Sequence, residues 1–236
     1  MNQFAMAFTP DKLEEAWHVF LTEFPLGLWE TVYVTVLSTL FAIVIGLPLG
    51  ILLVAGDEKG IHPMPKPLMK AINVIINFLR SVPFLILIVM VIPLTRAIIG
   101  TSIGSVASIV PLVVAAFPFV ARLVESSLRE LDPNIIEMAQ SMGSSTWQII
   151  TRVMLPESVP SLVTNFTLAI TTILGYTAMS GAMGGGGLGK IAINYGYSRY
   201  KYAVLYLAVI VLVLLVQIFQ TIGTRLAARL DKRIKK

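Results

Sequence analysis

Cysteine is absent from all 236 residues, which excludes disulfides, thiolate metal sites and a cysteine nucleophile. Histidine occurs only as His18 and His62, far apart in polar surroundings, the pattern of solvated imidazole and not of a metal site. Charge is scarce as well: 13% of residues are charged and 56% are apolar, roughly the reverse of a soluble domain's balance. The interiors of the long apolar runs hold no His, Asp or Glu, and Glu30 stands only at a margin. They therefore lack the acid–base cluster of a membrane-embedded enzyme, and no charged ring or filter motif marks a passive channel. A net charge of +5 would suit nucleic acid if it were spread out. A third of the basic residues, however, crowd into positions 225–236 directly after an apolar run, as on the cytoplasmic side of a membrane protein.

What the chain does have is long apolar runs. Residues 31–56 carry no charge over 26 positions, enough helix for roughly 39 Å against a hydrocarbon core of ~30 Å. Gly46, Pro48 and Gly50 would break a soluble helix but are tolerated in lipid. No basic region precedes this run and no small-residue cleavage site ends it, so it reads as a span and not as a signal peptide. Four more runs cover 71–93, 102–121, 158–179 and 202–223, the third with Pro111 and Pro118 and so expected to kink. The sequence thus predicts an all-α membrane protein with five transmembrane helices. Residues 57–70, 122–157 and the tail hold twelve Lys and Arg; the N-terminus, 94–101 and 181–201 hold five. That asymmetry puts the N-terminus outside and the C-terminus inside. Three regions follow: an outer segment 1–28, a five-helix domain 29–223 with an inside loop 122–157, and a basic tail 224–236. Within the first, Leu13, Ala16, Trp17, Phe20 and Phe24 recur at helical spacing, as in a helix lying in the outer interface.

The run "GAMGGGGLGKI", residues 181–191, fits both a phosphate-loop spacing and a dinucleotide spacing of glycines. Context rejects both. A phosphate loop follows a buried strand, and its Lys precedes Ser or Thr; here a membrane span precedes the glycines and Ile191 follows Lys190. No βαβ unit surrounds the run either. Two readings remain: a flexible exit from the fourth helix, or close backbone approach where helices move near the outer end of a pathway.

The loop 122–157 is too long for a connector. Asp132 and Pro133 make a cap and first helical position, Ile135, Ile136, Met138, Ala139 and Met142 give a short apolar helix, and Gly143 can end it. Ser144 or Ser145 can cap a second helix that Pro156 would halt. An apolar helix on an inside loop packs on its own bundle or lipid surface, or docks into a cytoplasmic partner.

The segment "EMAQSMGSSTWQIITRVMLP" resembles the EAA loop of ATP-binding-cassette importer permeases: E-A-A, a glycine four residues on, then I-x-L-P. Glu137, Ala139, Gly143, Leu155 and Pro156 match; Met138 replaces an alanine and Val153 the isoleucine. From Trp29 to Arg229 the chain, including "ETVYVTVLSTLFAIVIGLPLG", "INFLRSVPFLILIVMVIPLTR" and "GYTAMSGAMGGGGLG", resembles the methionine-importer permeases in particular. The resemblance implies a type I ABC importer permease fold in a bacterial inner membrane, with two copies around a two-fold axis. It also implies two ATPase subunits docked on the loop, an extracytoplasmic substrate-binding protein outside, surrounding lipid, and no nucleic acid. The chain itself would hold no cofactor, ATP and magnesium being bound by the partner ATPase. The substrate implied is methionine, with another amino acid or small polar solute as the alternative.

Arg80 would sit roughly 14 Å into the second span, so either the helix starts later and the side chain snorkels inward, or it pairs within the protein. Tyr176, Met179, Ser180 and Asn165 are candidates for lining the route, with helix packing equally open to each, and Gly184 and Gly185 for its gate.

Overall fold

The computed structural model describes residues 9–231; residues 1–8 and the last five, 232–236, which include four of the basic residues assigned to the tail, lie outside the described residues. All regular structure among the described residues is helical: α1 Pro10–Thr22, α2 Phe24–Ala55, α3 Lys66–Ser81, α4 Phe84–Ile99, α5 Ile109–Arg129 and α6 Pro133–Ser141. Next come α7 Thr146–Ile149, a π-helical stretch Ile150–Met154 and α8 Leu155–Ala182, then α9 Gly187–Ile191, a second π-helical stretch Ala192–Tyr197 and α10 Tyr202–Leu230. Among the described residues, four helical stretches are long and apolar enough to cross a membrane, or five if α3 and α4 count as one span.

The expected second span, 71–93, is not one helix. α3 begins earlier, at Lys66, and stops at Ser81. Val82 is extended (φ −76°, ψ 125°) because the ring of Pro83 disfavours the α region in the residue before it. α4 then restarts at Phe84, and Pro93, the expected end, lies inside it. Arg80 accordingly occupies the last turn of α3, exposed, and not the middle of an apolar span. The helix does not start later, as one reading of Arg80 required, and Arg80 makes no ion pair among the described residues. The third run also shifts. Residues 102–108 are turns, α5 starts at Ile109, and Pro111 falls in its first turn, where a missing N–H costs nothing. Pro156 does not halt the second loop helix either. The π-helical stretch bonds Leu155 N–H to Ile150 O, five residues back, and this widened turn just ahead of Pro156 lets the chain run on into α8.

The chain forms two compact units: Met1–Thr39 with Pro83–Val113 and Ile170–Ile218, and Leu40–Val82 with Val114–Ala169 and Phe219–Lys236. In the second unit, Gly46 and Gly50 of α2 abut α5. A Cβ on either would stand 2.8 and 2.5 Å from the Cβ atoms of Val120 and Val124. These glycines, read above as tolerated breakers, are a G-xxx-G surface that lets two backbones approach. Leu53, Ile76 and Ala121 form the buried cluster beside them. Arg122 donates to Glu125 (2.6 Å), Asn73 (2.7 Å) and Asn77 (2.9 Å), and Arg129 to Glu125 (3.0 Å) and Asp57 (2.9 Å), tying α3 and the turn after α2 to α5. In the first unit, Thr35 and Thr177 share a buried hydroxyl contact of 3.3 Å, and Tyr176 stacks on Phe84 with centroids 4.5 Å apart.

Candidate functional site

The second unit carries the loop. α6 starts as its residues dictate: Asp132 accepts from Asn134 N–H (3.0 Å), and Pro133 fills the first position. Gly143 ends it in the left-handed region, φ +79°, with Gly143 N–H on Gln140 O and Ser144 N–H on Ala139 O. Ser145 then caps α7 through a capping box with Gln148. Glu137 is the fifth residue of α6, beyond the first turn, so the helix dipole favours its charge little. Of α6, only Ala139 is buried, at 7% exposed; Met138 is 58%, Met142 79% and Trp147 72% exposed. Three large apolar side chains thus stand out at one helical corner, next to exposed Glu137. Val153 and Leu155 are half-buried and Pro156 is exposed where the π-helical stretch enters α8. A cleft of about 450 Å³ adjoins the loop, bounded by Glu137, Ile136, Asp57, Arg129 and Met154. Beside it, hydrogen bonding to Arg129 holds the Asp57 carboxyl below its ordinary value.

The first unit carries the glycine segment, whose backbone lies in close approach to its neighbours. Gly187 (φ +78°) donates its N–H to Glu30 Oε2 at 2.7 Å, and Leu188 donates to Thr31 Oγ1 at 2.9 Å. Gly184 (φ +89°) accepts from Gly104 N–H at 2.9 Å, and Ser180 O accepts from Met183 and Gly185. A Cβ on Gly185 would meet Ser108 Oγ at 2.6 Å; one on Gly189 would collide with the Ala178 backbone, and one on Gly181 with Lys190 N. Ser180 is buried and donates to Thr177 O at 2.8 Å. Met179 is half exposed and lines an apolar hollow of about 400 Å³ with Leu85, Gly175 and Leu212. Asn165 belongs to the other unit, where it bonds Leu123 O and Ser127 Oγ. Glu30 and Thr31 were not singled out from the sequence. The only available signal was a lone carboxylate at the edge of a charge-free run.

With all-helical regular structure among its described residues and several membrane-length apolar helices, the chain is a multi-pass membrane protein. Its residues 46–236 match the family model for the binding-protein-dependent transport system inner membrane component, and the chain belongs to that family. Its relatives include proteins named "Probable D-methionine transport system permease protein MetI". That of Vibrio cholerae serotype O1 is 44% identical over 87% of this chain and 91% of its own; that of Pasteurella multocida is 47% identical over 88% and 95%. Among solved structures, "Inward facing conformations of the MetNI methionine ABC transporter" matches in its native crystal form with a TM-score of 0.85 and 44% identity, over 87% of this chain and 95% of that one. An amino acid ABC transporter crystallised with histidines shares the fold at 18% identity and a TM-score of 0.70.

Proposed function

We propose that this protein is the membrane subunit of an ATP-driven methionine importer. The observation that carries the reading is the 44% identity and TM-score of 0.85 to a chain of a methionine ABC transporter over nearly the full length of both. Two copies form the route around a two-fold axis, because the four or five spans of one copy are few to enclose a lipid-free path. α2, the pair α3–α4, α5, α8 and α10 are the five crossings, with α1 and the glycine segment outside and α6–α7 inside. On each inner face an ATPase subunit takes Met138, Met142 and Trp147 into a groove, burying apolar surface that the chain leaves exposed. Glu137 pairs there with a base of the partner. ATP and magnesium stay on the ATPase, so the chain transmits closure without catalysing hydrolysis. On the outer side a binding protein delivers the solute past Tyr176, Met179 and Ser180, and the turn through Gly184 and Gly185 gates it. Transport of another amino acid or small polar solute is the alternative.

The test is uptake of radiolabelled methionine into proteoliposomes containing this chain, its ATPase and its binding protein. ATP-dependent uptake, competed by unlabelled methionine but not by histidine or alginate oligosaccharide, is expected. ATP hydrolysis coupled to uptake of another solute alone would move the substrate assignment to the alternative.

A further inference from the structure

In the second unit, Arg122, Glu125 and Arg129 lie on one face of α5 at helical spacing. Glu125 has both oxygens engaged, one on each arginine: Oε2 accepts from Arg122 at 2.6 Å and Oε1 from Arg129 at 3.0 Å. Arg122 turns its other terminal nitrogen to α3, donating to the side-chain oxygens of Asn73 (2.7 Å) and Asn77 (2.9 Å). Asn73 donates its own amide to Met69 O at 2.9 Å, which leaves its oxygen facing the guanidinium. Arg129 ends the series on Asp57, in the turn after α2.

Two observations set these contacts apart from ordinary surface pairs. The side chains of Arg122 and Glu125 are only 20% and 14% exposed. So far out of water, desolvation offsets much of the attraction between charges, and the pair is a poor source of stability. What a forked guanidinium between acceptors does supply is direction. The apolar cluster of Leu53, Ile76 and Ala121 holds the same helices by a force that has none. The second observation is position. Arg129 is the last residue of α5, and α6 begins at Pro133. At its far end α3 leads through Val82 and Pro83 to Phe84, whose ring stacks on Tyr176.

We propose that Glu125 is a positioning residue for the coupling loop: by holding Arg122 and Arg129 at once, it makes α3 and the root of α6 move as one piece. The inference rests on the reading of α6 and α7 as the element that meets the ATPase. Without the carboxylate the loop still docks, because Met138, Met142 and Trp147 are untouched, but its displacement is no longer passed to α3.

The experiment has two readouts. Glu125→Gln keeps the shape and one acceptor oxygen, but its amide turns N–H groups towards an arginine, so it serves one arginine and not both. In proteoliposomes holding the chain, its ATPase and its binding protein, methionine uptake is divided by the ATP hydrolysed. Copurification of the ATPase is retained and hydrolysis continues in Glu125→Gln, while uptake per ATP falls about tenfold, the size of an ordinary coupling between sites. Arg122→Lys, which keeps the charge but not the fork, lowers the ratio less and serves if Glu125→Gln does not fold. Adding Asn73→Asp to Glu125→Gln returns a carboxylate to Arg122 without a link to Arg129; it raises the melting temperature and leaves uptake per ATP low. Recovery of uptake in that double variant would mean that Glu125 only neutralises Arg122, and overturns the proposal. An unaltered ratio in both single variants, or loss of ATPase copurification, overturns it as well. The second readout needs no transport. Nitroxides on cysteines at Lys70 of α3 and Ser141 of α6, in a chain with no other cysteine, give a narrow distance distribution that broadens in Glu125→Gln. If the unaltered complex imports no methionine, the importer reading fails and this one does not; if the distribution stays narrow in Glu125→Gln, this one fails whatever the solute.

Discussion

Gly143 and Gly189 are both glycines at helical corners, and they are glycines for opposite reasons. Around Gly143 there is nothing within 4 Å of where a Cβ would stand, but the backbone sits at φ +79°. Gly189 lies in ordinary α-helix, yet a Cβ there would run into the backbone of Ala178. One position needs a conformation and the other needs space. The loop around Gly143 leaves Met138, Met142 and Trp147 unpacked, whereas Gly185 through Gly189 are all buried. A surface left bare suits contact with another chain, and a segment with no spare volume suits a turn that moves as a rigid piece.

The largest expected effect tests the space requirement. Gly189→Val should destabilise the protein by about 3 kcal/mol or more through overpacking against backbone, which cannot yield as a side chain tip can. Monodisperse yield and melting temperature in detergent read this out, and a normal melting temperature would show that the segment has slack. Gly143→Val should cost about 1–2 kcal/mol locally, from a β-branched residue at positive φ. The variant should fold and insert but lose most copurification with the ATPase and most uptake. Gly143→Asn, able to adopt that φ, should recover much of both, and failure of Asn to do so would mean that shape and not backbone conformation is read there.

Glu30→Gln comes next. It keeps an acceptor for Gly187 N–H but removes its charge, so about 1 kcal/mol should be lost, with faster hydrogen exchange at Gly187. Exchange unchanged at Gly187 would detach Glu30 from the segment. Trp147→Ala should alter stability by under ~0.5 kcal/mol, because the ring is exposed, while weakening ATPase copurification. A large stability loss would make the corner part of this chain's own core.

The smallest effect is electrostatic. Asp57 is held below its ordinary value of 3.8, first by the hydrogen bond from Arg129. A lowered folded-state pKa gives stability that is present above 3.8 and lost as pH falls through the lower folded value. Both side chains are more than two-fifths exposed, so solvent screens the pair and the contribution stays under ~0.5 kcal/mol. Asp57→Asn should therefore flatten only the stability profile below pH 4, as measured by melting temperature against pH.

Much of the loop was legible in the sequence because its signals are local. Asp132–Pro133 starts a helix, Gly143 ends one, and Ser145 with Gln148 starts another, each within three residues of its partner. Helix ends inside apolar runs were not, because hydropathy registers transfer into lipid and not backbone geometry. The run 71–93 is apolar apart from Asn73, Asn77, Arg80 and Ser81, yet Pro83 splits it. Pro156, a plausible stop, is carried through by the π-helical turn before it.

Composition and basic-residue asymmetry by themselves determined that the chain belongs in a membrane as helices, since an apolar stretch in lipid must satisfy its own backbone. Tertiary structure alone decided what the glycines and the stray polar residues are for. Gly46 and Gly50 became a contact surface only when Val120 and Val124 lay against them. Glu30 became the acceptor of an amide 157 positions away, and Ser158 a hydroxyl without a partner. Free volume at a Cβ and the partner of a buried polar atom are properties of chain segments brought together in space, and no local pattern encodes them.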